Sequence, residues 1–128
     1  MNSAPKQRPK YYDLNLAHLP APGLVSIFHR ISGALLFFPI VPALLYLMQA
    51  TLGSAEGYEH WKGIFSQPLV KLVLAGFVWL YVHHLVAGIR YLLLDVHIGV
   101  AKVPAQASAK WVFVLGVFIT ALILWRIW

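Results

Sequence analysis

Three long stretches of this chain are apolar enough to cross a lipid bilayer, and this feature limits the possible folds more than any other. A bilayer core about 30 Å thick needs roughly 20 apolar residues in a helix. The stretches run from about 23 to 48, 68 to 94 and 111 to 128. Because lipid offers no partner to free backbone groups, each stretch is expected to be helical. The sequence predicts an all-α integral membrane protein with a polar or interfacial segment (1–22) and a three-helix transmembrane domain (23–128).

The composition excludes several other classes. The 128 residues are 60% hydrophobic and 11% charged, whereas a soluble domain carries about 25% charged residues. The net charge of +6 forms no basic stripe of the kind that binds nucleic acid. The absence of cysteine excludes disulfides, thiolate-held iron–sulfur clusters and C-x-x-C-H haem attachment. Any redox group must therefore be held by histidine.

Details within the stretches support the three-helix prediction. Pro39 and Pro42 lie inside the first stretch, where they are expected to kink the helix without ending it. Pro68 opens the second stretch, as is favoured at a helix start, and tryptophans flank the third as interfacial anchors. The two connections, 51–67 and 95–110, are short and polar.

The basic residues predict the orientation in the membrane, because cytoplasmic loops carry an excess of lysine and arginine. A three-span path places seven on the N-terminal side and three on the other. The seven are Lys6, Arg8, Lys10, Arg30, Arg90, Lys102 and Lys110, and the three are Lys62, Lys71 and Arg126. We therefore expect a cytoplasmic N-terminus and a periplasmic C-terminus.

Two histidines lie deep in the second stretch, where ionisable side chains are costly and by default indicate function. His83 and His84 are about 15 Å from its inner end, at 1.5 Å per residue. His84 shares a helix face with Gly88, Tyr91 and Asp95. The missing side chain of Gly88 would let a flat ring approach the backbone. The spacing leaves three interpretations open: haem ligation, packing against a neighbouring helix and proton relay. His83 points about 100° away, so the pair cannot bind one iron, and a second ligand would come from a partner subunit.

A second group of polar residues lies at the start of the first stretch. Ser26, His29, Arg30 and Gly33 share one helix face near the inner membrane boundary. A hydroxyl, an imidazole and a guanidinium together can hydrogen-bond a quinone carbonyl or pair with haem propionates. The alternative is an arginine that reaches the lipid headgroups and a serine that caps the helix.

Three motifs in this order resemble those of the cytochrome b556 membrane-anchor subunits of bacterial and mitochondrial succinate dehydrogenase, respiratory complex II. The resemblance covers nearly the whole chain, although the third helix matches only as a generic apolar helix. The motifs are R-P-x(3)-D-L at 8–14, S-I-x-H-R-x-[ST]-G at 26–33 and H-x(3)-G-[IL]-R at 84–90, with Asp95 beyond.

The resemblance implies roles for particular residues. His84 would be one axial ligand of haem b, with the other supplied by a second small anchor subunit, and Gly88 would pack against the haem. Ser26 and Arg30 would line the ubiquinone site, and His29 and Arg30 would lie near the haem propionates. Many bacterial members have a histidine where this chain has Tyr91, so a propionate contact at Tyr91 is not carried over.

The implied fold is half of a haem-binding helical bundle, completed by the second anchor subunit. The implied function is that of a membrane anchor in succinate:quinone oxidoreductase, with a flavoprotein and an iron–sulfur subunit as partners and ubiquinone as the electron acceptor. The chain itself would not be an enzyme. We expect it in the bacterial inner membrane, because no Arg/Ser-rich transit peptide precedes the first helix.

Two alternatives remain at this point. One is a haem-bearing anchor of fumarate reductase, which runs the same chemistry towards fumarate. The other is a cofactor-free small transporter or assembly scaffold. A transporter is expected to show paired repeats or matching broken helices, and the sequence has no visible repeat.

Overall fold

The computed structural model describes residues 18–128, and within this range all the regular structure is helical. The helices are α1 (Ala21–Leu35), α2 (Val41–Leu52), α3 (Ala55–Phe65), α4 (Pro68–Asp95) and α5 (Lys102–Ile127). Three stretches are long and apolar enough to cross a membrane: Ala21–Leu52, Pro68–Asp95 and Lys102–Ile127. The predicted all-α fold with three membrane-spanning helices is confirmed. The motif at 8–14, Lys6 and Lys10 lie outside the described residues.

The helices extend beyond the predicted spans at most of their ends. The first begins at Ala21 and ends at Leu52, whereas 23–48 was expected, and α5 begins at Lys102 rather than near 111. Hydropathy identifies the part of a helix that lies in lipid. The nine residues before Trp111 belong to the same helix and form about two and a half more polar turns. Pro104 fits in this first turn because the amide that it lacks would have no intrahelical partner there.

The first membrane helix passes through Pro39 and Pro42 without ending, as predicted. A π-helical turn, Leu36–Ile40, joins α1 to α2 and contains Pro39, and Pro42 lies at the start of α2. The wider π turn accommodates a proline ring and a missing amide donor that would disrupt a regular α-helical ladder.

The connection predicted to be merely polar contains a helix, α3, which the sequence analysis missed. Ser54 caps it, because its hydroxyl accepts a hydrogen bond from the amide of Gly57 at 3.0 Å. A side chain at Gly57 would collide with the carbonyl oxygen of Ala50. The glycine therefore lets α3 fold back closely on the end of α2.

The bundle core is small and lies where α1, α4 and α5 meet. Its fully buried members are Val25 on α1, Ala87 on α4, and Ala109 and Val112 on α5. Small residues let the helix backbones approach, as is common inside membranes. In the most apolar window of each long helix no more than 22% of the residues are buried. Most of the apolar surface is therefore available to lipid or to other subunits.

Arg90 ties α4 to the start of α5 and is itself only 7% exposed. Its Nε donates to the hydroxyl of Ser108 at 3.0 Å, and its Nη2 donates to the carbonyl oxygen of Ala105 at 3.1 Å. The guanidinium also lies 5.5 Å from the centre of the Tyr91 ring. Arg90 was counted among the basic residues that predict the orientation, and in the structure it packs between two helices.

Replacing Arg90 by alanine is expected to destabilise the helix pair. Hydrogen bonds from a charged donor contribute roughly 1.5–3 kcal/mol each, and two are lost, so we expect a loss of about 3–6 kcal/mol. The measurement is the thermal midpoint of the detergent-purified membrane complex. Arg126→Ala is the matched control, because Arg126 is exposed near the end of α5. Equal midpoints for the two variants would contradict this role.

Candidate functional site

Two imidazole rings, from His29 on α1 and His84 on α4, stack face to face. Their centroids are 4.3 Å apart and their planes differ by 5°. The sequence analysis placed these histidines in separate groups of residues, and the packing of α1 against α4 brings them together. Both are half-buried, so the site is open on one side.

Hydrogen bonds determine which nitrogen of His84 carries the proton. Nδ1 of His84 lies 3.2 Å from the carbonyl oxygen of His29 and 3.2 Å from Oγ of Ser32. A carbonyl oxygen can only accept, so Nδ1 must donate. The Ser32 hydroxyl donates to the same carbonyl at 3.0 Å, so its oxygen is free to accept from Nδ1. The contact with the carbonyl is a hydrogen bond only in the tautomer with the proton on Nδ1. This tautomer leaves a lone pair on Nε2, the arrangement found in metal-bound histidines.

Two glycines border the stacked rings, and Gly33 is the one whose missing side chain makes room for them. A side chain built on Gly33 would place its Cβ 2.9 Å from Cε1 of His84, closer than van der Waals contact allows. A side chain on Gly88 would place its Cβ 3.6 Å from Nε2 of His29. Gly88 was expected to pack against haem, and that role stays a prediction. In this structure the ring beside Gly88 is that of His29.

His83 lies on another face of α4 and is fully buried. Its ring lies 5.2 Å from that of Trp79, 5.3 Å from that of Phe113 and 5.9 Å from that of Phe28. Neither ring nitrogen has a hydrogen-bond partner among the described residues. Aromatic side chains therefore separate His83 from the site around His84, in agreement with the expected 100° between the two.

Ser26 and Arg30 lie one turn apart on α1. Nε of Arg30 donates to the backbone carbonyl of Ser26 at 3.3 Å, and Arg30 is exposed. This bond leaves the Ser26 hydroxyl and the other guanidinium nitrogens available to a ligand. His29 turns away from them towards His84, so α1 presents polar groups on two sides.

Tyr91 borders the imidazole pair near the C-terminal end of α4. Its ring lies 5.1 Å from that of His29 with the planes at 55°. Its hydroxyl is buried and has no hydrogen-bond partner within residues 18–128. Asp95, expected on the same face, ends α4 and is exposed. The helix face that carries His84, Gly88 and Tyr91 therefore ends at an exposed residue, Asp95.

The arrangement of these side chains suits a single coordinate bond to a metal ion, from Nε2 of His84. No group of three or more histidine, cysteine or acidic side chains in the described part of the chain is placed to hold a metal ion. A single free Nε2 can still complete the coordination of a metal whose other ligands come from a macrocycle or another chain. The donor chemistry of His84 fits such a group.

Ser32 and Gly33 belong to the site but were given no role of their own in the sequence analysis. Both lie in the motif at 26–33, and Gly33 was placed on one face with Ser26, His29 and Arg30. The sequence does contain an indication of this role. Near the first histidine, a glycine leaves space for an imidazole from another helix, and a hydroxyl offers it a hydrogen-bond partner. Recognising it requires knowing which helix packs against α1.

Comparisons with known proteins agree with this architecture. A family model described as "Succinate dehydrogenase/Fumarate reductase transmembrane subunit" matches residues 4–124. The chain is also similar to a protein of Coxiella burnetii (strain RSA 493 / Nine Mile phase I) named succinate dehydrogenase cytochrome b556 subunit. The two are 34% identical over 123 residues, which cover 95% of this chain and 96% of the relative.

Proposed function

The chain belongs to the family of succinate dehydrogenase/fumarate reductase transmembrane subunits, and from this membership we propose that it co-ligates haem b and forms part of a ubiquinone-reduction site. It is a multi-pass membrane anchor. The succinate dehydrogenase name of the Coxiella relative supports succinate oxidation with quinone reduction as the direction of the complex. The chain contributes no catalytic residue to succinate oxidation itself.

The observation that carries the proposal is the hydrogen bonding of His84. With Nδ1 held by the His29 carbonyl and by Ser32, Nε2 is oriented and free to bind iron. Bound haem b supplies reversible one-electron exchange. The protein holds the imidazole in the correct tautomer, and Gly33 keeps its ring in position by leaving space behind it.

The second axial ligand is proposed to come from a second small anchor subunit. His83 is enclosed by aromatic rings, and His29 lies parallel to His84 rather than opposite to it. In this structure neither is placed to hold the haem together with His84. The large exposed apolar surface of the three helices leaves room for such a partner, and a flavoprotein and an iron–sulfur subunit complete the proposed complex.

Ser26 and Arg30 are proposed to bind the quinone. The serine hydroxyl and the free guanidinium nitrogens are donors that can reach a quinone carbonyl. A quinone that becomes a quinol gains two electrons and two protons, and a nearby arginine stabilises the negative charge that develops on its oxygen. His29 and Arg30 are proposed to lie near the haem propionates, where Arg30 adds a positive charge.

The quinone role is tested with Arg30→Ala and Ser26→Ala in the assembled membrane complex. Removing one donor from a developing oxyanion costs roughly 10²–10³ in kcat, so we expect quinone reduction to fall by about that factor in Arg30→Ala and by less in Ser26→Ala. Succinate oxidation by a soluble artificial acceptor is expected to be unchanged. Lys110→Ala is the control for loss of a basic residue on the same side. Unchanged quinone reduction by an assembled Arg30→Ala complex would contradict the proposal, whereas equal loss with both acceptors would indicate failed assembly.

The proposed location is a bacterial inner membrane, with the N-terminus in the cytoplasm and the C-terminus in the periplasm. The excess of basic residues on the N-terminal side supports this orientation. It also places Ser26 and Arg30 near the cytoplasmic surface, where an iron–sulfur subunit would deliver electrons.

A further inference from the structure

A cavity of about 380 Å³ lies at the end of the bundle where α2 ends and α4 begins. Its walls come from the end of α2, from α3, from the first turns of α4 and from Trp128 after α5. Lys71 lies 13 residues before His84 on α4, which separates the cavity from the site around His84 by about 20 Å along the helix. Its volume is in the range of about 300–1,000 Å³ that is usual for ligand pockets.

The cavity combines aromatic walls with two ammonium groups. Nζ of Lys71 lies 5.5 Å from the centre of the Trp128 ring, and Nζ of Lys62 lies 5.8 Å from that of the Tyr58 ring. Lys71 lies in the first turn of α4, inside the apolar helix, and is half-buried. Lysine and tryptophan or tyrosine side by side are typical of the level of the lipid headgroups.

The two lysines differ in how their charge is balanced. Nζ of Lys62 pairs with a carboxylate oxygen of Glu59 at 3.2 Å, but both side chains are more than half exposed. Ion pairs between exposed side chains contribute little to stability. Lys71 has no carboxylate within ion-pair distance among residues 18–128. No Asp or Glu side chain of the described chain lines the cavity, and the carboxylate at the end of residue 128 lies within ion-pair distance of neither lysine. An anion entering it would meet one unpaired ammonium and one that is weakly paired.

We infer that this cavity binds the phosphate headgroup of an anionic phospholipid, with Lys71 and Lys62 on the phosphate and the aromatic walls around the glycerol and the upper acyl chains. A lipid fits better than a soluble anion, because four of the eight lining residues are aromatic, and tryptophan and tyrosine are enriched at the level of the lipid headgroups. An anionic headgroup fits better than phosphatidylethanolamine, whose own ammonium would be repelled by two lysines. Phosphatidylglycerol is the probe of choice.

The competing explanation is that Lys71 merely extends its ammonium to the interface, as lysines near helix ends do. Such a lysine attracts anionic lipids through the general surface potential and holds no particular molecule. Since every basic residue near the surface does the same, a lysine elsewhere in the chain serves as the control. Lys110 is exposed near the other end of α5 and does not line the cavity.

The experiment places the intact complex in nanodiscs of equal parts phosphatidylglycerol and phosphatidylethanolamine, extracts it in mild detergent, and counts retained lipids by native mass spectrometry. The double variant Lys71→Gln/Lys62→Gln gives the background. We expect the wild-type complex to retain one phosphatidylglycerol more than this background. A lysine near the surface is worth about 1 kcal/mol towards anionic lipid, so retention is expected to fall about fivefold in Lys71→Gln and about thirtyfold in the double variant. Lys110→Gln and the charge-preserving Lys71→Arg are expected to retain the lipid.

Several outcomes would overturn the inference. Equal retention in Lys110→Gln and in the double variant would show unspecific attraction. Retention of phosphatidylethanolamine in place of phosphatidylglycerol would show that the anionic charge is not recognised, and retention of quinone would assign the cavity to another ligand. Displacement by millimolar inorganic phosphate would show a soluble-anion site. Lys71→Arg removes the lysine but keeps its positive charge. Its lipid retention therefore tests the role of the charge even if Lys71→Gln alone folds poorly.

Discussion

Replacing His84 by alanine is expected to abolish the b-type band in the reduced-minus-oxidised spectrum of the purified complex. His84 is the imidazole whose Nδ1 is fully engaged, by the His29 carbonyl and Ser32, and whose Nε2 is free. Without it, the iron would keep only the ligand of the partner subunit. We expect the haem content, measured as a pyridine haemochrome per complex, to fall to the level of the apoprotein.

His83→Leu is the matched control for this prediction. Both nitrogens of His83 lack partners in the described structure, and replacing an unsatisfied polar side chain by an apolar one of similar volume is nearly neutral or stabilising. The band is therefore expected to survive in His83→Leu. A band that survives in His84→Ala but disappears in His29→Ala would assign the ligand to the other ring of the stack. A band that disappears only in His83→Leu would contradict the assignment of the haem ligand to the pair of stacked histidines.

The three membrane helices were predictable from sequence because lipid imposes a minimum apolar length on each one. α3 was not, because it is short and lies between polar residues. Its formation depends on the capping contact of Ser54 with Gly57 and on the close approach of Gly57 to Ala50. The second of these is a tertiary contact, and hydropathy contains no information about it. Hydropathy likewise does not locate the start of α5, because this helix extends beyond its apolar part into more polar residues.

Periodicity placed His84 and Gly88 on one face of α4, but it did not predict that His29 would stack on His84. Helix periodicity relates residues on the same helix, whereas the stack joins positions 55 residues apart. It depends on how α1 is rotated and shifted against α4, and the small core around Val25 and Ala87 determines that packing. Ser32 and Gly33 gained their roles only from this docking.

Gly33→Val is expected to have the second largest effect. The Cβ of any side chain at Gly33 would lie 2.9 Å from Cε1 of His84, and the two methyl groups of valine need still more room. The His84 ring cannot move away and keep both bonds to its Nδ1, because the His29 carbonyl and the Ser32 hydroxyl are on the same helix as the new side chain. Losing such supporting bonds typically costs 10–100-fold in metal affinity.

We therefore expect haem occupancy in Gly33→Val to fall by about 10–100-fold at limiting haem, with the complex still assembled. Gly76→Val is the matched control, because Gly76 lies on a membrane helix and a Cβ there meets no atom within 4 Å. Gly33→Ala introduces only the Cβ, so we expect it to retain haem with a shifted band position and midpoint potential. Wild-type occupancy and potential in Gly33→Val would mean that the His84 ring does not need the space behind it. The imidazole would then be held by the partner subunit or the haem, and not by the contacts with α1.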